Sequence, residues 1–325
     1  MISIILPFKN EQLYLRQVLS SILEQTEKNF EVLAVNDHST DESYAIVQSI
    51  SKQDSRIKPL MSNGKGVIEA LKTGFAHAQG KFVTRQDGDD LMPINKLQIL
   101  KEQLLAAGPG NISTGKVSYF SDQELGEGFK KYEKWLNSLC EERNHWQQIY
   151  KECVVASSNW LMFAEDFKKL DYFADIIYPE DYFLVFKLFQ HNFNVICSDQ
   201  VTHLWRDHSK RASRTSELYK NQNFFPLKVR FFLELNDRDN IVIWGAGSNG
   251  KELVREFQAH HIHLQWLTSN SKKIGKSIYG IDIQDPQNFN FSPEQKLIIC
   301  IREPNASRDI RNYLNRDQSP QIFEF

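Results

Sequence analysis

The sequence predicts an α/β fold built on a mostly parallel sheet, followed by a second, smaller α/β unit. Three observations predict it. Short β-branched runs alternate with apolar residues at helical spacing from Ile2 to Thr84. Two acidic clusters fall at the ends of such runs. A second alternation opens at Ile241, after a polar stretch, Asn236-Asp237-Arg238-Asp239-Asn240.

The elements follow in order. Ile2-Ser3-Ile4-Ile5-Leu6-Pro7 reads as a buried strand ended by proline. Tyr14, Leu15, Val18, Leu19, Ile22 and Leu23 recur at helical spacing. Phe30 to Val35 is a second strand, running into Asn36-Asp37-His38-Ser39-Thr40-Asp41. Ser39 and Glu42 have the spacing of a capping box, with a helix to Ile50. Ile57 to Met61 is a weaker strand, Asn63 to Gly66 a tight loop, and Val67 to Ala78 a helix stopped at Gly80. Lys81-Phe82-Val83-Thr84 is the strand before Gln86-Asp87-Gly88-Asp89-Asp90. In sheets of this kind ligands bind outside the carboxyl ends of the strands, where Asp37 and the Asp87–Asp90 cluster both fall.

That cluster is costly unless something neutralises it, because like charges this close repel. A hard divalent cation, Mg²⁺ or Mn²⁺, takes oxygen ligands and commonly bridges carboxylates to substrate phosphates. Read alone, the same residues also suit a solvated Asp-Gly turn. Composition narrows the classes. A net charge of −2 over 325 residues gives no reason to expect a nucleic-acid partner. Cys140, Cys153, Cys197 and Cys300 lack metal-ligand spacing and read as reduced thiols, which suggests a cytoplasmic protein. Met1 leads directly into a strand without a basic leader, and no run approaches the roughly 20 apolar residues of a membrane span.

The runs Ser3 to Glu11, Val35 to Asp41 and Asp87-Gly88-Asp89-Asp90 together resemble the family 2 glycosyltransferases of the GT-A fold, over about the first 215 residues. The resemblance implies that Pro7, Lys9, Glu11 and Asp37 hold the base and ribose of a nucleotide-diphosphate sugar, a UDP-sugar favoured. It implies that Asp87 and Asp89 hold the ribose and a metal. The chain departs from the commoner Asp-Asp-Gly-Ser at Asn36 and His38, and Lys72 stands where many members carry Asn. Tyr178-Pro179-Glu180-Asp181 reads as a helix start, with acids favoured by the dipole. The resemblance adds that one of Glu180 and Asp181, with Asp181 preferred, is the general base. In His203 to Arg211, His208 is a candidate third metal ligand, and Arg206, Lys210 or Arg211 a candidate contact to the diphosphate. The alternative there is an exposed charged loop.

Elsewhere the reading is structural. Lys96 to Leu105 is helical, Lys116 to Phe120 a strand, and Tyr132, Trp135, Leu136, Leu139 and Trp146 mark an amphipathic helix that suits the core, with stacking of its aromatics on sugar faces as the alternative. Ser157 to Phe163 reads as an inner strand, and Leu218 to Leu235 as an apolar helix joining two domains, with membrane-surface docking as the alternative. Ile241 to Trp244, then Gly245-Ala246-Gly247-Ser248-Asn249-Gly250, then a helix to Gln258 form the dinucleotide-binding fingerprint of a Rossmann-like unit. The strand His263 to Leu267 ends without an acid for a ribose, although Lys272 and Lys273 follow, and two further strands are expected beyond it. His260, His261 and His263 read as a polar helix end.

The expected domains are thus a GT-A domain at 1–217, a connecting helix and linker at 218–239, and a small Rossmann-like domain at 240–325. The expected activity is inverting, metal-dependent sugar transfer to the hydroxyl of a glycan or lipid-linked acceptor, in polysaccharide or glycoconjugate synthesis of the bacterial type. A non-catalytic nucleotide-sugar-binding interaction protein, and a bifunctional enzyme with a redox C-terminal domain, remain open, as does peripheral association with the inner face of a membrane.

Overall fold

A computed structural model describes residues 1–325 except 123, 212–213, 215–223, 302, 304 and 315–318. The chain divides into two compact units, residues 1–147 with 153–215, and residues 148–152 with 216–325.

In the first unit the alternation of runs becomes β1 (Ile2–Phe8), α1 (Leu15–Leu23), β2 (Phe30–Asn36), α2 (Ser43–Ser51), β3 (Ile57–Met61), α3 (Val67–His77) and β4 (Phe82–Arg85). The strands lie in the order β3-β2-β1-β4, all parallel, and β6 (Met162–Phe163) adds to β4 antiparallel. Every residue of β1 and β2 is buried, because helices cover both faces of a parallel sheet. Ile2, Ile4 and Leu6 join Val18, Leu19 and Ile22 of α1 on one side, while Ile5 and Leu33 meet Leu71 of α3 on the other. At about 1.5–3 kcal/mol for each such side chain taken from water, these layers hold the sheet. Gly74 lets α3 approach closely, since a Cβ there would stand 2.4 Å from Ile5 Cγ2.

A second, two-stranded parallel sheet is formed by β5 (Asn111–Phe120) and β7 (Asn194–Arg206), flanked by α4 (Lys96–Ala107) and α5 (Glu127–Glu142). In the chain, α6 (Ala164–Lys169) and α7 (Glu180–Gln190) follow β6 and precede β7. A bridge between Leu91 and Leu204 fixes β7 beside the acidic cluster.

Several expectations need correction. Pro7 does not end β1: it lies inside the strand, paired with Val35. β4 pairs with β1 only as far as Ile5↔Arg85, so the ladder does not call for the N–H that proline lacks. There is no Ser39–Glu42 capping box, because Ser39 Oγ accepts from Asn10 N and the first helical residue is Ser43. Of the strand expected over 157–163 only Met162–Phe163 forms. Trp146 lies beyond α5, in a 3₁₀ turn at His145–Gln148, since Arg143 turns left-handed at φ 53°. The cluster from His203 is an exposed loop only in its second part: His203 and Arg206 are buried at the end of β7, and Ser209 and Lys210 beyond it are exposed. Cys140 and Cys197 are not reduced thiols but a disulfide, because α5 and β7 bring their Cα atoms to 5.2 Å across 57 residues of sequence. Cys153 and Cys300 are buried and outside the disulfide.

The second unit contains α8 (Phe225–Leu235), β8 (Ile241–Trp244), α9 (Ser248–Ala259), β9 (Leu264–Leu267), β10 (Ser277–Ile278), β11 (Ile281–Gln284), β12 (Lys296–Ile299), α10 (Ala306–Tyr313) and β13 (Gln321–Glu324). Its sheet runs β10-β11-β9-β8-β12-β13, parallel except at β10–β11, so among the described residues four strands follow β9 where two were expected. The glycine run forms the turn from β8 into α9, and His260 caps α9 as a polar helix end. The 218–223 portion of the expected apolar helix lies outside the described residues. No helix among the described residues is long and apolar enough to cross a membrane.

Candidate active site

The carboxyl ends of β1, β2 and β4 form one rim, and the loops that leave it are tied together by side chains. Asn10 N and Glu11 N donate to Ser39 Oγ and Ser43 Oγ at 3.0 and 2.7 Å, and Thr40 N donates to Asn10 Oδ1 at 2.8 Å. Asp37 follows β2 directly. Its Oδ1 accepts from Gly66 N at 2.9 Å and its Oδ2 from Lys9 Nζ at 3.3 Å. His38 turns left-handed, at φ 53°, and places Nε2 3.1 Å from Gly64 O. Asn36 caps the same turn by accepting Ser39 N at 2.9 Å.

After β4 the three aspartates diverge. Asp87 accepts from Arg85 Nε at 2.6 Å and from Ser157 Oγ at 3.1 Å. Burial raises its pKa, but the Arg85 guanidinium prevails and holds the carboxyl below its ordinary value. Asp89 lies 3.0 Å from His208 Nε2, and burial and the Asp90 charge push its pKa up. Asp90 turns inward, accepting Arg206 N at 2.9 Å and standing 3.2 Å from His203 Nε2. Its burial raises the pKa to about 7. The turn is closely packed at Gly88, where a Cβ would stand 3.1 Å from Phe8 Cβ and 3.2 Å from Glu11 Cγ.

Glu11 reports the electrostatics of the rim. Burial, then Asp89, Asp41, Asp87 and Asp90, raise its pKa to about 8. Burial first, and the neighbouring carboxylates after it, favour the protonated carboxyl here. Hard oxygens and an imidazole are donors of the kind a divalent cation takes; Asp89 and His208 meet here, whereas Asp87 is turned toward Arg85 and Ser157. Arg206 packs its guanidinium 4.8 Å from the Tyr14 ring and 4.5 Å from the Phe120 ring, and donates to Asp89 O and Gln17 Oε1. It therefore braces the Asp89 backbone.

At the other end of the site Glu180 and Asp181 open α7, preceded by Pro179. Glu180 is buried, accepts from Arg85 Nη1 at 2.8 Å, and leaves Oε2 without a partner. Asp181 is half-buried; its desolvation and the Glu180 charge raise its pKa to about 7 against the pull of Arg85. Arg85 thus joins the Asp87 end to the Glu180–Asp181 end. Sequence reading missed Arg85, His203 and the fully buried Lys96, which donates to Ser158 O and Gln86 Oε1. A cation two residues before an aspartate cluster was the available signal for Arg85; His203 and Lys96 carried none.

Known proteins resemble this chain in sequence and in fold. The family described as Glycosyl transferase family 2 matches residues 3–171, more than half of the 325-residue chain. The glycosyltransferase GlyA of Streptococcus pneumoniae is 30% identical over 166 residues, 49% of this chain and 23% of GlyA. An uncharacterized glycosyltransferase of Haemophilus influenzae is 28% identical over 192 residues, 56% of this chain and 58% of the relative. The chain therefore spans from under a quarter to just over half of these relatives. The crystal structure of S. aureus TarS 1-349 in complex with UDP-GlcNAc superposes with a TM-score of 0.56 at 17% identity, covering 80% of this chain and 72% of that one. That likeness shows the fold, GT-A. The ordered motifs, their meeting on one rim and the family match together establish that the chain belongs to glycosyl transferase family 2.

Proposed function

We propose that the first unit transfers a sugar from a nucleotide-diphosphate sugar, a UDP-sugar favoured, to an acceptor hydroxyl with inversion. The observation that carries this reading is the pair of ends joined by Arg85: an acid-rich rim at Asp87 and Asp89, and Asp181 with a pKa near neutrality. Asp37, Lys9 and Pro7 border the place for the nucleoside. Mg²⁺ or Mn²⁺ bound by Asp87, Asp89 and His208 would offset charge on the departing diphosphate. Asp181 takes the proton of the acceptor hydroxyl as it attacks the anomeric carbon from the face opposite the leaving group. Glu180, drawn to Arg85, keeps Asp181 a usable base by repelling its ionised form. TarS was crystallised with UDP-GlcNAc and with UDP, which supports the choice of nucleotide. A glycan or lipid-linked acceptor is proposed, and the second unit is proposed as a separate, Rossmann-like domain.

The test is a thermal-shift panel of nucleotide sugars with and without Mn²⁺, followed by transfer assays with the stabilising donor. A donor that binds selectively should raise the transition temperature by mass action. No metal-dependent stabilisation by any nucleotide would contradict the reading.

A further inference from the structure

We propose that Cys140, His145 and Cys197 form a binding site for a soft divalent cation of the zinc class once the two sulfurs are reduced. The reading is independent of sugar transfer. The last turn of α5 supplies Cys140, the 3₁₀ turn just beyond it supplies His145, and β7 supplies Cys197. One sulfur from each cysteine and one ring nitrogen lie within 4.8 Å of one another. A zinc-class ion needs such convergence, taking thiolate and imidazole ligands at about 2.0–2.3 Å. His145 is buried beside the two sulfurs, and imidazole is a common ligand of such ions. Cys197 is only half-buried, so the cluster lies within reach of solvent.

The disulfide and the metal exclude each other. A dithiol reductant would give two electrons and two protons to the Cys140–Cys197 bond and itself become a disulfide. Each thiol then releases its proton as its sulfur–metal bond forms. The oxygen-rich rim at Asp87 and Asp89 prefers harder ions, so the two sites differ in ligand chemistry.

The experiment uses the full chain, reduced, stripped with a chelator and titrated with Co²⁺. One equivalent should produce the thiolate-to-cobalt charge-transfer absorption of a tetrahedral site, bleached by Zn²⁺ and absent after oxidation to the disulfide. An oxygen-only site gives no such band. Cys197→Ser and His145→Gln should each weaken Co²⁺ binding by about 10²-fold or more, since even partners of metal ligands are worth about 10- to 100-fold. His145→Gln keeps both sulfurs and decides the matter if Cys197→Ser does not fold. Absence of the band in the reduced chain, or unchanged affinity in the folded variants, would overturn the proposal.

Discussion

Arg85 holds two carboxylates that serve different ends of the site, Asp87 at 2.6 Å and Glu180 at 2.8 Å, with its own side chain 10% exposed. Removing one partner of a buried ion pair leaves an uncompensated charge, and Glu180 already carries an unpartnered oxygen. Arg85→Met should therefore cost about 3–5 kcal/mol, read as a shift of the urea midpoint; a change under about 1 kcal/mol would show that the clamp contributes little. Asp181 has the opposite environment. Its pKa is raised to about 7 by burial and by Glu180, so at lower pH it is protonated and accepts no proton. Transfer by the wild type should rise with pH through about 7 and level off above it, and a rate flat from pH 5 to 8 would contradict the assignment. The named acids were legible because Asp87, Asp89 and the Glu180–Asp181 pair are local in sequence. Arg85's second partner lies 95 residues away, and no local pattern announces such a contact.

The elements divide by how their residues are buried. β1 and β2, buried along their whole length, read clearly as apolar runs, as parallel strands should. β7 did not. Its middle residues Ser198, Asp199 and Gln200 are polar, and it is held by its ladder to β5 and by α4 and α5 rather than by its own composition. The turn into α9 shows a finer distinction among glycines. Gly245 has φ 137°, and a Cβ on Gly250 would stand 2.0 Å from Gly245 O, whereas a Cβ on Gly247 meets nothing within 4 Å. Gly250→Ala should destabilise the second unit by about 1–3 kcal/mol or more through overpacking, while Gly247→Ala should leave its stability within about 0.5 kcal/mol. Equal effects in chemical denaturation would refute this view of the turn.

For the whole molecule, the two units should melt separately, each having its own buried core. UDP with Mn²⁺ should raise one calorimetric transition by mass action, and Gly250→Ala should lower the other. A single transition moved by both would mean one cooperative core. The alternation of strands and helices made the order of elements readable through β4, and the glycine run marked the start of the second sheet. Neither told which strands after residue 110 would pair, because those pairings join segments far apart in the chain. The central claim is that a metal-assisted nucleotide end and a carboxylate base act on one sugar. Its most direct test is single-turnover transfer by Asp181→Asn, with affinity for the nucleotide sugar and Mn²⁺ measured in parallel. The account predicts unchanged binding with transfer slowed by about 10²–10⁴-fold, the usual worth of a general base. Near-normal transfer by Asp181→Asn, with binding intact, would contradict it.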